Sequence, residues 1–218
     1  MDFADARRRM VDGQLRPNKV TDPLLLEAMR NLPREVFVPA ALKSRAYADE
    51  AVALPGGAGM ASPMVLARLV QLAAPRPGDR ALVVAAGTGY GAAVLAHMGV
   101  AVTAVEEDPK LREAARQALS ACLPAGAVRL EGGNPAAGFA AAAPYDIILI
   151  EGEVPEVPAA LAAQLAEGGR LVAVRASHGP ASQAVLGRRI AGSLSVTPAF
   201  DCAAPPLAAF AREAGFVF

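Results

Sequence analysis

The sequence predicts an α/β fold: a doubly wound, mostly parallel sheet that ends in an antiparallel C-terminal hairpin and follows an N-terminal helical segment. Three observations predict it. From Arg80 onward, short apolar runs alternate with helical patterns. The first run, residues 81–85, leads into the Gly-rich turn Gly87-Thr88-Gly89-Tyr90-Gly91 and then a small-residue helix. The last two runs, 184–190 and 194–200, flank Ala191-Gly192-Ser193, which reads as strand, Gly turn, strand.

The N-terminal third is helical and irregular. Phe3, Ala6 and Met10 recur at helical spacing, with Asp5, Arg7, Arg8 and Arg9 mostly between them, so residues 2–11 read as an amphipathic helix. The arginine run is a solvated face. Thr21-Asp22-Pro23 opens a second helix, with Thr21 as the cap and Leu24, Leu25, Ala28 and Met29 on its apolar side. Residues 33–39 form a Pro-bounded connection anchored by Phe37. A short helix spans 40–44, and 46–59 is loop. Ser62-Pro63 starts a helix to about Leu72. Met10, Met29 and Met64 are core residues.

Strands are predicted at 81–85, 101–106, 128–130, 147–150 and 170–174. Helices are predicted at 89–98, from Asp108-Pro109 through Leu119, and at 158–166, the last capped by Gly168-Gly169. The continuous run Ile147-Ile148-Leu149-Ile150 suits a buried parallel strand. Residues 1–78 are expected to pack as a helical segment over the site, with 79–218 as the sheet domain, one structural unit overall.

Composition excludes several functions. The chain has 218 residues, 54% hydrophobic, with a formal net charge of zero. No global basic field would draw nucleic acid or an anionic membrane. Cys122 and Cys202 lack metal-ligand spacing and read as reduced thiols. His97 reads as a surface residue at a helix end, and His178 lies in a loop. There is no Ser–His–Asp constellation. No signal peptide or membrane span is expected, so the protein is read as cytoplasmic.

The glycines of the turn let the backbone approach a ligand, and the helix behind them directs free N–H groups at it. Glu106, at the end of the second strand, can accept hydrogen bonds from two ribose hydroxyls. Both belong at the carboxyl ends of the strands, where ligands of doubly wound sheets bind.

Several blocks stand in one order: Arg9-Met10-Val11-Asp12-Gly13-Gln14-Leu15, Leu32-Pro33-Arg34-Glu35-Val36-Phe37-Val38-Pro39, Ala46-Tyr47-Ala48-Asp49, the turn from Gly87 to Tyr90, Pro144-Tyr145-Asp146-Ile147-Ile148, and 165–172. This order resembles the protein-L-isoaspartate O-methyltransferase family, with a Rossmann-like sheet. The resemblance weakens after about Phe200. It implies an enzyme that moves a methyl group from S-adenosylmethionine to the α-carboxylate of L-isoaspartyl residues in damaged proteins or peptides. The ester then closes to a succinimide that can reopen as aspartate. It implies cofactor contacts at Gly87, Thr88, Gly89, Tyr90, Glu106 and Glu107, substrate contacts at Tyr47 and Asp49, and no metal.

The chain departs from that family's pattern. Ala61 stands at the family's serine position, and Ser62, one residue later, is either a helix N-cap or a shifted catalytic serine. Val83 replaces an acid on the first strand, Ala85 the first glycine of the turn, and Gly133-Asn134 a Gly-Asp pair. If the site of Ala85 needs positive φ, alanine is strained there. Ala203 falls where the family carries a basic residue. Losing two charge-assisted hydrogen bonds to the cofactor would weaken binding by about two to four orders of magnitude. Glu151 reads as a solvated loop carboxylate or as a replacement acid. The departures also admit a non-catalytic binding or scaffold protein, or a methyltransferase with another acceptor.

Overall fold

The structure, a computed structural model, describes residues 2–177 and 181–211; His178 lies outside them. Helix α1 (Phe3–Met10) is capped by Asp2 and widens into a π-helical turn over Val11–Leu15. Helix α2 (Pro23–Asn31) is capped by Asp22, not by Thr21 as the sequence suggested. The Asp22 carboxylate accepts from the Leu25 amide at 3.0 Å, while the Thr21 amide is held by Gln71 Oε1 at 2.7 Å. Gln71 also donates to Lys19 O, so one side chain ties this loop to the next helix. The predicted loop 46–59 contains a two-residue hairpin, β1 (Val52–Ala53) with β2 (Gly59–Met60). Helix α3 (Pro63–Ala73) follows.

The alternating part begins with β3 (Arg80–Val84), α4 (Tyr90–His97), β4 (Ala101–Glu106), α5 (Pro109–Cys122) and β5 (Val128–Gly132). It continues with β6 (Tyr145–Val154), α6 (Ala159–Ala163), β7 (Leu165–Arg175), β8 (Gln183–Ile190) and β9 (Ser193–Asp201). Helix α6 is shorter than expected, and Gly168-Gly169 does not cap it. Leu165 already pairs with Tyr145 and Arg170 with Ile147, so residues 166–169 bulge from β7. Gly168 takes φ 75° in that bulge. Gln164 locks the junction, accepting from the Phe139 amide and donating to Ala137 O and Ala160 O.

The seven strands lie in the order β5-β4-β3-β6-β7-β8-β9. Pairs through β7 are parallel, and β7–β8 and β8–β9 are antiparallel. This is a Rossmann-like sheet with an antiparallel edge. Alternation assigns each strand to both faces. Val83, Ile147 and Leu149 join one core, shared with α3, α4, α5 and the N-terminal helices. Leu82, Val84, Ile148 and Ile150 join the other, with Leu161 and Phe210. Met10, Leu15, Leu25, Met29 and Phe37 are essentially inaccessible, and each side chain so buried stabilises the packing by about 1.5–3 kcal/mol. The N-terminal segment is thereby held beside the carboxyl ends of β3 and β6. Arg68 of α3 lies 3.6 Å over the Phe200 ring of β9, fixing that edge as well.

Candidate active site

Strand order reverses between β3 and β6, which leaves a crevice at their carboxyl ends. Two adjoining cavities lie there, and a third groove lies past Pro205. The outer cleft, about 180 Å³, is bordered by Ala85, Gly87, Glu106, Glu107, Asp108 and Pro135. Pro206 and Leu207 form its roof. That segment runs beside β6: the Glu153 amide donates to Pro205 O at 2.8 Å, and the Leu207 amide to Glu153 O at 3.0 Å. Two glycines permit the approach. A Cβ on Gly59 would sit 2.6 Å from Pro205 Cγ, and one on Gly152 2.5 Å from Leu207 Cγ.

Glu106 sits where the sequence placed it. Its Oε2 accepts from the Gly87 amide at 2.8 Å and its Oε1 from the Asp108 amide at 3.0 Å. Burial pushes its carboxyl above the usual range, against the pull of those two amides. A carboxylate offers about four lone pairs, so both oxygens keep capacity for the two hydroxyls of a ribose. Ala85 does adopt a left-handed conformation, with φ 55°. An alanine there costs roughly 1–2 kcal/mol relative to glycine. At the far end, Gly133 is exposed and Asn134 Oδ1 caps a turn by accepting from the Ala136 amide at 2.8 Å.

Three of the expected cofactor residues also make contacts within the chain. Gly89 (φ 90°) opens α4 and borders neither the outer cleft nor the inner pocket behind it; it packs against Ala115 and Leu119. The Thr88 hydroxyl donates to Phe37 O at 2.6 Å. Tyr90 is buried edge-on to Phe37, with the Arg34 guanidinium 4.8 Å from its ring centre. Thr88 and Tyr90 thus fasten the Pro33–Pro39 loop to the turn, and they also wall the inner pocket.

That pocket, about 10 Å³, shares Gly59, Ala85 and Gly87 with the outer cleft and reaches Glu151. Glu151 is not the solvated loop carboxylate that the sequence allowed. It lies on β6 and is 8% exposed, with Oε1 lacking any hydrogen-bond partner. Burial raises its carboxyl to about 8, opposed by Arg34 and the Gly91 amide. A carboxyl raised in the folded state binds a proton that the unfolded chain, with its ordinary carboxyl near 4.5, has already released. Its contribution to stability is complete below pH 4.5 and is lost as pH rises toward 8. Urea unfolding across pH 5–8 should show wild-type stability falling by about 1 kcal/mol per pH unit, with a flatter profile in Glu151→Gln. Parallel profiles would refute the assignment.

Arg34 completes this layer and was not singled out as a site residue from sequence. It is fully buried and donates to Ala46 O at 2.8 Å and Ala61 O at 2.7 Å. Burial lowers its guanidinium from the usual range. The motif order was the available signal, since Pro33-Arg34-Glu35 stands among the matched blocks.

On the other side of the 205–207 segment lies an open groove of about 470 Å³ containing Asp49, Glu50, Ser62, Asp201, Cys202 and Pro205. Ser62 caps α3, accepting from the Val65 amide at 3.4 Å. Asp49 Oδ1 accepts from the Met64 amide at 3.4 Å. Tyr47 is not at this groove: it is buried, its hydroxyl donates to Glu35, and Gln14 donates to its carbonyl at 2.8 Å. It braces the loop instead. Ser62→Ala should lose about 1 kcal/mol by chemical denaturation, the usual worth of an N-cap. A tenfold fall in methyl transfer at unchanged stability would instead give Ser62 a chemical role.

Among the described residues, no group of three His, Cys, Asp or Glu could hold a metal, and no helix is long and apolar enough to cross a membrane. The family profile described as Protein-L-isoaspartate(D-aspartate) O-methyltransferase matches residues 6–202. The chain belongs to the protein-L-isoaspartate O-methyltransferase family. A relative named protein-L-isoaspartate O-methyltransferase, from Methylorubrum extorquens (strain PA1), is 46% identical over 78% of this chain and 74% of its own length. A solved protein-L-isoaspartate O-methyltransferase superposes with a TM-score of 0.81 at 25% identity, covering 92% of this chain and 65% of that one. A Plasmodium falciparum structure in complex with S-adenosyl-L-homocysteine shares the fold at TM-score 0.78 and 18% identity, over 92% of this chain and 97% of that one.

The methyl donor of the protein-L-isoaspartate O-methyltransferase family is S-adenosylmethionine. The residues at the strand ends fit it. Glu106 retains acceptor capacity on the cleft wall, and an orphaned buried carboxylate oxygen lies at the inner end.

Proposed function

We propose that the chain is an S-adenosylmethionine-dependent carboxyl O-methyltransferase acting on L-isoaspartyl residues of proteins and peptides. The observation that carries this reading is the pair of cavities on either side of the 205–207 segment. One carries the Gly-rich turn and Glu106; the other runs past Ser62 and opens to solvent. Such a pair suits a nucleoside-bearing donor and a macromolecular acceptor approaching one point from opposite sides.

Bound S-adenosylmethionine supplies an electrophilic methyl group. The protein's own work is binding, alignment and exclusion of water. Glu106 takes the ribose hydroxyls, and Gly87 gives close backbone approach. Glu107 lies on the cleft rim. Pro206 and Leu207 give the cleft an apolar wall. An isoaspartyl α-carboxylate is already ionised at neutral pH, so no general base is required. Ser62 and Asp49 border the groove that would receive the acceptor chain.

The test is methyl transfer to an isoaspartyl peptide against the matching aspartyl peptide. The isoaspartyl peptide alone should be methylated; background signal for both overturns the reading. A specific observation favours a second one, a methyltransferase with another acceptor. Among the described residues the groove holds Asp49, Glu50 and Asp201 and no basic one, and Ala61 stands at the family's serine position. That reading predicts retained cofactor binding with both peptides inert.

A further inference from the structure

The geometry points to Glu151 as the receptor for the primary ammonium group at the amino-acid end of the nucleoside ligand. It would stand in for the first-strand acid that the family resemblance places at Val83 and links to the cofactor's amino group. The inference rests on the outer cleft being the S-adenosylmethionine site.

Four observations carry it. First, the Glu151 carboxyl is more than nine-tenths buried, yet its Oε1 has no hydrogen-bond partner. Buried acceptors are almost always satisfied, so one left open marks a place for a donor. Second, the oxygen belongs to a pocket of about 10 Å³, continuous with the outer cleft through Gly59, Ala85 and Gly87. That volume admits one water-sized group, which is the size of an ammonium. Third, Arg34 is near enough to act on the Glu151 charge but makes no hydrogen bond to it among the described contacts: Nε donates to Ala46 O and Nη2 to Ala61 O, and Nη1 has no partner of its own. Fourth, the sheet register explains the relocation. Val83 pairs with Leu149 and Val84 with Ile150, so Glu151 is the next residue of the neighbouring strand, level with Ala85. Its carboxyl lies against Gly91 of α4, the helix that packs on the face carrying Leu149 and Val83. Gly91 makes the room, because a Cβ there would lie 2.2 Å from Glu151 Oε1. The acid has moved one strand across and two residues toward the strand ends, to the mouth of the same crevice.

The test is calorimetric and needs no turnover. S-adenosylhomocysteine and its analogue lacking only the α-amino group are titrated into the wild-type protein and into Glu151→Gln. Removing the amino group should weaken wild-type binding about 10- to 100-fold, the worth of one charge-assisted hydrogen bond. In Glu151→Gln the two ligands should bind within about threefold of each other, because the partner is already gone. Should Glu151→Gln fail to fold, the wild-type pair still decides. Equal affinity of the two ligands for wild type overturns the assignment while leaving the cofactor site intact. So does an undiminished preference in Glu151→Gln. If wild type binds neither ligand, the cofactor reading falls and the assignment falls with it.

Discussion

Glu106→Ala is expected to reduce S-adenosylhomocysteine affinity by about 100-fold or more. Two ribose hydroxyls would lose an ionised acceptor, each such bond being worth about 1.5–3 kcal/mol. The Gly87 and Asp108 amides would also lose their partner, loosening the turn that shapes the cleft. Calorimetry on a variant whose circular dichroism matches wild type checks this. Glu106→Gln separates the two effects. It keeps one acceptor oxygen but turns an amide N–H toward a backbone donor, so it should fall between wild type and alanine. Unchanged affinity in Glu106→Ala would mean that the ribose is held elsewhere, and the reading of the outer cleft would be lost.

The second large effect is on stability. Arg34→Met is expected to cost about 2–6 kcal/mol in urea unfolding, since each of two buried carbonyls left unpaired costs about 1–3 kcal/mol. The guanidinium is inaccessible and bridges three pieces of chain: the 33–39 loop that carries it, Ala46 O, and Ala61 O just before α3. It lies over Tyr90 and opposes the burial of Glu151. Its loss strands two carbonyls and leaves Glu151 without a nearby cation. Adding Glu151→Met should recover part of the loss, so the double variant should be at least about 1 kcal/mol more stable than the sum of the two single changes predicts. Simple additivity would show that the two groups do not sense each other. A single-variant cost below 1 kcal/mol would show that the Arg34 charge is dispensable to the packing.

These two residues also show how far the sequence could be read. Glu106 was legible because its place is set locally. A strand of β-branched and small residues ends in an acid, and the strand before it ends in the glycine turn. Glu151 stood in plain view after Ile150, but its burial depended on Gly91, sixty positions earlier in sequence, leaving space on α4. Tyr47 and Thr88 were placed at the site because they belong to matching blocks. The sequence did not show that their hydroxyls bond Glu35 and Phe37 O and so brace the loops, while Thr88 still lines the inner pocket. Helix α6 was read too long, because the Ala-rich run to Ala166 has helical propensity. Pairing of Leu165 with Tyr145 overrode it.

By itself, the sequence determined the alternation of strands and helices, the Gly-rich turn with its acid, the closing hairpin and the family. All of these follow from periodicity, turn chemistry or residue order within short windows. Only the tertiary structure decided which polar groups face ligand and which serve the scaffold. That choice depends on contacts between distant segments: the 205–207 strip laid against Gly59 and Gly152, Arg34 pinned between Ala46 and Ala61, and Glu151 sealed beneath the turn. Burial and hydrogen-bond satisfaction are properties of the packed molecule, and no local pattern encodes them.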